Sequence, residues 1–306
     1  MFLTGFADEA GIDFSVQIKA TRELGWKFIE SRRINGYQKS LANLSDEEFE
    51  QICSQLDEAG IRINCFGSAV ANWSKDPRKE EDFQSSLDEL NSALPRMKKL
   101  GITLLRGMSF VAPLKDGTRP DVPEIEELIF KKVRHLVEIC ADNGIIYGHE
   151  NCMNYGGLSY EHTLKLLEKV NHPNLKLIYD TGNPCFNYRW IGEPPYTMQS
   201  SWEYYSKVKE EIVYVHIKDG LAIPGDDPFV RPKCRFTYAG DGMGDVRAIV
   251  RDLKESGYDG GFSIEPHLAV VFHDDKQQSE EEVMYQNYVT YGKRFEQLLR
   301  DCGWDC

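Results

Sequence analysis

The sequence predicts an α/β fold, a single (β/α)8 barrel of parallel strands over residues 1–306. Three observations carry this expectation. Short apolar runs alternate with longer amphipathic segments, the alternation repeats eight times, and no Ser/Gly-rich linker divides the 306 residues. An open doubly wound sheet normally has fewer strands and a topological reversal, and no GxGxxG follows the first strand.

The first strand is read over Phe2 to Ala7 (FLTGFA), with a helix near Phe14 to Leu24. The second is Lys27 to Ser31 (KFIES), and its helix runs from Asp46 to Ala59, where SDEE resembles a capping box and Gly60 closes the helix. Strand three, Ile61 to Phe66 (IRINCF), leads to a helix over Lys79 to Leu100, and strand four, Ile102 to Gly107 (ITLLRG), to one over Val122 to Asn143. Strand five, Ile145 to Glu150 (IIYGHE), precedes a helix over Ser159 to Val170, and strand six, Leu175 to Asp180 (LKLIYD), one over Trp202 to Glu211. Strand seven, Val213 to Lys218 (VYVHIK), is followed by a long loop and a helix over Asp245 to Ser256, and strand eight, Gly261 to Glu265 (GFSIE), by a helix over Glu280 to Leu299. Each strand is short and rich in β-formers.

Composition narrows the function. Asp and Glu number 49 against 36 Lys and Arg, and a net charge of −13 argues against a nucleic-acid partner. No long uncharged apolar run suggests a membrane span, and MFLTGFADEAG lacks the basic start of a signal peptide. Eight cysteines without a CxxC pair read as reduced thiols in a cytoplasmic protein. Small-molecule chemistry is the remaining expectation.

Reacting groups of such barrels sit at the carboxyl ends of the strands. Four polar residues stand there in succession: Glu150 (YGHEN), Asp180 (YDTGN), His216 (VHIKD) and Glu265 (SIEPH). Two glutamates, an aspartate and an imidazole form a mixed oxygen and nitrogen set for one divalent metal, Mn2+ first, with Mg2+, Co2+ or Zn2+ as alternatives. Taken singly, each acid reads equally well as a helix cap or surface charge. Together they would repel one another unless a cation neutralised them.

With GHEN, YDTGN, VHIKD, GDGMGD (240–245) and GYDGGFSIEP in this order, the sequence resembles the xylose-isomerase-like TIM barrels. That family includes sugar phosphate isomerases and epimerases, ketose 3-epimerases, inosose dehydratases and endonuclease IV. The resemblance implies that Glu150, Asp180, His216 and Glu265 hold a single metal, and that Glu150 and Glu265 serve as acid and base on opposite faces of the substrate. It implies a carbohydrate substrate and proton transfer through a metal-stabilised enediolate. The sequence departs from the pattern in two places. Many members carry histidine where this chain has Asn183, which can hydrogen-bond a substrate hydroxyl but not transfer a proton. The arginine that epimerases use after the strand-seven histidine has no clear counterpart. Endonuclease IV needs histidines after strands three, four and six, where this sequence reads CFGS, RGMS and DTGN.

Further candidates surround this set. Alternation puts Lys218 on the side of His216, and it is assigned to polarising a substrate oxygen; the plainer reading is a strand-end lysine in solvent. His267 shares the phase of Glu265 and is the better candidate for a general base in contact with substrate, whereas His149 points toward the helices and His135, His162 and His172 read as ordinary partners. In FVRPKCRF, Arg231, Lys233 and Arg235 alternate, either to catch a substrate phosphate or carboxylate or as a solvated loop or subunit contact. Arg32 and Glu30 on strand two and Arg106 on strand four are candidates to face the mouth. Trp73, in GSAVANWSKDP, either covers the substrate or packs under its loop. The segments GWDC and NPCFNYRWIGEPPY are candidate contacts of a homo-oligomer, or pack within the chain; the second, on the carboxyl face, is also a candidate pocket lining.

The expected function is a divalent-metal-dependent isomerase or epimerase acting on a ketose, ketose phosphate or keto-polyol. One alternative is a lyase or dehydratase on a keto-sugar or keto-inositol; another is a non-catalytic sugar-binding barrel.

Overall fold

Every barrel strand pairs with its neighbours in parallel. The computed structural model describes residues 1–112, 122–223, 225, 227, 230–269 and 281–306. Its strands are β1 (Phe2–Gly5), β2 (Phe28–Ser31), β3 (Arg62–Gly67), β4 (Leu104–Gly107), β5 (Ile146–Glu150), β6 (Leu175–Asp180), β7 (Ile212–Ile217), β8 (Gly220–Ile223), β9 (Lys233–Phe236) and β10 (Gly261–Ile264). The eight barrel strands follow the order β1-β10-β7-β6-β5-β4-β3-β2, and a parallel bridge between Phe6 and Glu30 joins the two ends. The expected (β/α)8 barrel is the observed one, nearly closed, with helices outside.

The helices are α1 (Phe14–Glu23), α2 (Asp46–Ala59), α3 (Glu80–Leu100), α4 (Pro123–Asp142), α5 (Tyr160–Val170), α6 (Ser201–Val208), α7 (Val246–Glu255) and α8 (Glu281–Asp301). Glu280, the expected start of the last helix, lies outside the described residues. The cap expected of α2 is present: Ser45 N donates to Glu48 Oε2 at 2.8 Å, and Glu48 N to Ser45 Oγ at 3.1 Å. Gly60 ends the helix at φ 64°, which a side chain would strain. The sixth helix is shorter than expected, giving way at Lys209 to a 3-10 turn that carries the chain into β7.

Alternation along the strands creates two apolar layers. Tyr147, Leu177, Tyr179, Val215, Ile217 and Phe262 point outward and join the helices in the main core. Cys65, Ile178 and Tyr214 point inward and fill the barrel, packed on by Phe2, Leu104 and Val213. GWDC packs within the chain: Trp304 Nε1 donates to Val250 O at 2.9 Å, and its ring meets Phe262 edge-on at 5.5 Å.

The stretch after β7 is not a plain loop, as the sequence reading had it. β8 and β9 form an antiparallel hairpin, Gly220 opposite Phe236 and Ile223 opposite Lys233. Alternation explains it: Lys233 and Arg235 are exposed, while Phe236 turns in to meet Phe186 and His267. Phe229, which opens the FVRPKCRF stretch, lies outside the described residues.

Asp219 ties this hairpin and the glycine-rich GDGMGD turn to the end of β7. Its Oδ1 accepts from Gly220 N and Gly244 N, both at 2.8 Å, and its Oδ2 from Gly240 N at 2.8 Å and Gly242 N at 3.0 Å. A Cβ on Gly242 would stand 2.2 Å from Asp219 Oδ1, so the turn requires glycine there. The glycine-rich motif thus serves an aspartate of the protein itself. Replacing Asp219 with Ala strands several amide donors and is expected to cost about 2–4 kcal/mol, with Asp219→Asn losing less. Urea unfolding midpoints measure this; a loss for Asp219→Ala below about 0.5 kcal/mol would show that the turn stands without its anchor.

Candidate metal centre and active site

Strand register sets the level of the site. Asp180 pairs with His216, and His216 with Ser263, so three neighbouring strands present their inward side chains at one height. Glu150 closes β5 and Asp180 closes β6, His216 is the penultimate residue of β7, and Glu265 follows β10 directly. One donor atom from each of Glu150, Asp180, His216 and Glu265 lies within 4.8 Å of the others, and all four residues are buried.

Each donor is fixed by local structure. Asp180 Oδ1 accepts from Gly182 N at 2.8 Å and Asn183 N at 2.6 Å, which leaves Oδ2 facing the cluster without a hydrogen bond. Asn151 clamps the same strand end, donating to Asp180 O at 3.0 Å and accepting from Asp180 N at 2.7 Å. His216 Nε2 lies 3.1 and 3.2 Å from the Glu30 oxygens. Ser263 Oγ donates to Glu30 Oε2 at 2.6 Å. A carboxylate in that position accepts, so Nε2 carries the proton and Nδ1 is turned to the cluster. Nδ1 has no hydrogen bond and stands 3.5 Å from Glu150 Oε1 and 4.0 Å from Glu265 Oε2.

The carboxylates are balanced by cations. Arg106 Nη1 donates to Glu150 Oε2 at 3.2 Å and its Nη2 to Ser68 O at 2.8 Å. Arg32 Nη1 donates to Glu265 Oε1 at 3.1 Å, its Nε to Asp8 Oδ2 at 2.9 Å, and its Nη2 to Glu9 Oε1 at 3.1 Å. Lys218 Nζ donates to Glu265 Oε2 at 2.8 Å and lies 2.9 Å from Asp180 Oδ2. His267 Nε2 is 3.3 Å from Glu265 Oε1, and its Nδ1 is 3.0 Å from Glu9 Oε1. Phe6 lies between the two arginines, 4.3 Å from Arg32 and 5.1 Å from Arg106.

Titration follows from this packing. Burial opposes charge on Glu150, but Arg106 and then His216 outweigh it and pull its pKa to about 2. Glu265 is likewise held well below the usual carboxylate range, burial being overcome by Lys218 and His267. Asp180 goes the other way, to about 6: burial dominates, Lys218 opposes it, and Glu265 and Glu150 add to it. For His216, burial lowers the pKa, but Glu30 and Glu150 prevail and push it up to about 10.

The donor set fits a divalent ion. Donors held about 2.0–2.6 Å from one ion lie no more than about 4–5 Å apart, as these four do. His216 Nδ1 and Asp180 Oδ2 are buried atoms of the cluster without hydrogen bonds, the latter paired only with the Lys218 ammonium at 2.9 Å. The Glu30–His216 pair is the outer partner that orients ligating imidazoles.

The other expected residues fall as follows. Lys218 is only 4% exposed, which overturns the reading of a lysine in solvent: two buried carboxylates hold it. Asn183 Nδ2 donates to Glu150 Oε1 at 3.2 Å. Arg32 lies just past β2 rather than on it. A cavity of about 290 Å³ opens above the cluster, and Trp73, Arg231 and His267 line it together with Glu150, Lys218 and Glu265. Arg231 contacts Met153 and lies 5.9 Å from the Phe186 ring, whereas Lys233 and Arg235 remain outside the cavity lining. His149 is buried outside the cluster, 2.9 Å from Ser109 Oγ and 3.0 Å from Asn154 Oδ1. Sequence reasoning missed Asp8, Glu9, Asn151 and Arg33. Asp8 and Glu9 had a signal, since they directly follow the first expected strand.

Two measurements follow. Glu30→Gln keeps a hydrogen-bonding group but removes the charge that orients His216, and is expected to weaken metal affinity about 10–100-fold; titration with Mn2+ reads this, and an unchanged affinity would remove Glu30 from the centre. In metal-free protein the folded-state pKa of His216, about 10, lies above its ordinary 6.5. The stability it contributes is complete below about 6.5 and drains away as pH rises toward 10. The gap in urea midpoint between wild type and His216→Asn should therefore narrow over that range; a constant gap would mean a neutral imidazole throughout.

Comparison with known proteins sets this geometry in context. A protein from Methanocaldococcus jannaschii is 29% identical over 150 residues, which is 47% of this chain and 44% of that protein, so the match spans less than half of its length. Among solved structures, IOLI protein with a binding zinc atom superposes with a TM-score of 0.71 at 17% identity, covering 98% of this chain and 99% of that one. D-psicose 3-epimerase with D-tagatose, from Clostridium cellulolyticum H10, gives 0.69 at 14% identity over 98% and 99% of the two chains. The probable 3-DHS dehydratase AsbF of Bacillus anthracis gives 0.67 at 14% identity over 97% and 99%. At these identities the likenesses are of fold. The model of the xylose isomerase-like TIM barrel family matches residues 18–287, and with that span and this fold the chain belongs to that family.

Proposed function

We propose that the protein is a divalent-metal-dependent isomerase or epimerase of a small ketose, ketose phosphate or keto-polyol, with Mn2+ as the preferred ion. The observation that carries the reading is the placement of Glu150 and Glu265. Their carboxylates approach one imidazole nitrogen, at 3.5 and 4.0 Å, on the floor of a cavity sized for a small molecule.

An ion held by Glu150, Asp180, His216 and Glu265 would supply Lewis acidity to the two oxygens of a hydroxy-ketone and stabilise an enediolate. The protein's own groups do the rest. Arg106 and Asn183 fix Glu150, and Arg32 and Lys218 fix Glu265, so each carboxylate meets the substrate in one orientation. One of them takes the carbon-bound proton, and the other, ionised at neutral pH, takes a proton from a substrate hydroxyl or solvent and delivers it to the opposite face. In this reading Lys218 polarises a substrate oxygen, His267 and Arg231 contact hydroxyls, and Trp73 covers the cavity, which all four line. Eight free cysteines support a cytoplasmic location.

A lyase that expels water or a glycosyl group after the same proton abstraction is the second reading. Asn183 favours it, because an amide at this place holds Glu150 but carries no proton for a return step.

Metal content by native mass spectrometry, followed by product mass after incubation with ketoses and keto-polyols, tests both. One ion per chain, lost in Glu150→Gln and Glu265→Gln, and a product of unchanged mass are expected, with activity falling at least about 100-fold in either variant. A product lighter by water or a sugar moves the protein to the lyases; no metal at saturation leaves a sugar-binding barrel.

A further inference from the structure

The cavity carries a positive charge that the metal cluster does not use. In a protein of net charge −13, Arg32, Arg33, Arg106, Lys218 and Arg231 all line one small cavity, against three glutamates. Two of these, Glu150 and Glu265, belong to the cluster and are matched by Arg106, Arg32 and Lys218. Glu89 is occupied elsewhere: its Oε1 accepts from Ala69 N at 2.7 Å, and its Oε2 lies 3.5 Å from Lys75 Nζ.

Arg33 differs from its neighbours. Its guanidinium is half-buried in the cavity wall and makes no hydrogen bond or ion pair among the described residues. Its backbone is held, because Gln17 Nε2 donates to Arg33 O at 2.9 Å. Burial lowers its pKa, Arg32 and Arg106 lower it further, and Asp8 and Glu89 offset this only in part. Two further donors share the wall. Ser40 Oγ accepts from Ala42 N at 3.3 Å, which leaves its hydrogen free to donate into the cavity. Asn72 spends Oδ1 on Ser74, accepting from its N at 3.0 Å and its Oγ at 2.7 Å, and keeps its amide hydrogens. A guanidinium, a hydroxyl and an amide lining one cavity are donors of the kind that bind carboxylates and phosphates.

We propose that the Arg33 wall of the cavity, with Ser40 and Asn72, is a subsite for an anionic group, a carboxylate or phosphate carried by a substrate whose hydroxy-ketone end lies on the Glu150–Glu265 cluster. This rests on the function proposed above only for what lies at the other end. The substrate is then an acidic sugar derivative rather than a neutral ketose.

Calorimetric titration of the protein as purified with glycerol, glycerate and glycerol 1-phosphate tests it, with metal content measured on the same samples. At least one anion should bind about tenfold more tightly than glycerol, the tighter of the two identifying carboxylate or phosphate as the group. Arg33→Gln should abolish that preference, Arg33→Lys should restore much of it, and Ser40→Ala should reduce it. Equal affinity for all three compounds, no detectable binding of either anion, or an anion preference that survives in Arg33→Gln overturns the subsite. The wild-type comparison needs no variant, so a misfolded variant does not block the answer. Metal absent with the Arg33-dependent preference intact removes the isomerase reading and leaves the subsite; metal present without the preference does the reverse.

Discussion

Carboxylates packed where water is scarce must be neutralised, and the upper half of this molecule is organised around that requirement. Asp8, Glu9, Glu30, Glu150, Asp180 and Glu265 are all buried at the barrel mouth. Removing a single ion from water costs several kcal/mol even after relaxation. Arg32, Arg106, Lys218, His216 and His267 stand among them as counter-cations, each within reach of at least one acid. Such a network is weak evidence for stability, since well-packed apolar residues of the same volume would often do as well. It is stronger evidence for function: the fold keeps charge at the strand ends, where a barrel does its chemistry, and fills the barrel below with Cys65, Ile178 and Tyr214.

The network also shows how strand register becomes chemistry. A strand shifted by one residue would turn His216 outward and bring Val215 or Ile217 in. Asn151 pins β5 to β6, Thr181 Oγ1 donates to Lys218 O at 2.7 Å across β6 and β7, and Asp219 gathers the next turn. These contacts lie beside the donors, so the precision of the cluster comes from the loops that begin at the strand ends as much as from the sheet. The same clamps account for the motif spellings. In GHEN the asparagine is the clamp, in YDTGN the residues after aspartate fold back onto its Oδ1, and in HIKD the aspartate holds the glycine turn.

Most of the fold was legible because alternation and helix stops are local signals. Strand ends came within one or two residues for nearly every barrel strand, and α2 matched at both ends. The hairpin of β8 and β9 was not legible, since four-residue strands with one apolar face resemble loop sequence. The four donors could be listed in advance because each ends or nearly ends a strand. Their partners were harder. That Lys218 would turn onto Asp180 and Glu265 depends on three strands meeting, and Arg33 acquires meaning only from the described residues around it, none of which pairs with it. Asp8 and Glu9 were within reach of the rule already applied to the other strands, but they follow β1 on a 3-10 turn rather than ending it.

The asymmetry between the two glutamates bears on which can act as a base. Both are held below the ordinary carboxylate range, and a carboxylate of low pKa is a weak proton acceptor. Glu150 is held by Arg106 and Asn183, whose anchors at Ser68 and Asn187 tie them to the protein frame. Glu265 owes its low value first to Lys218, a buried ammonium shared with Asp180. If the proposed substrate draws Lys218 toward its oxygen, Glu265 would lose its strongest cation and gain basicity, while Glu150 would keep its guanidinium. Under the proposed reaction, binding and activation of the base would then be one event, coupled by the lysine.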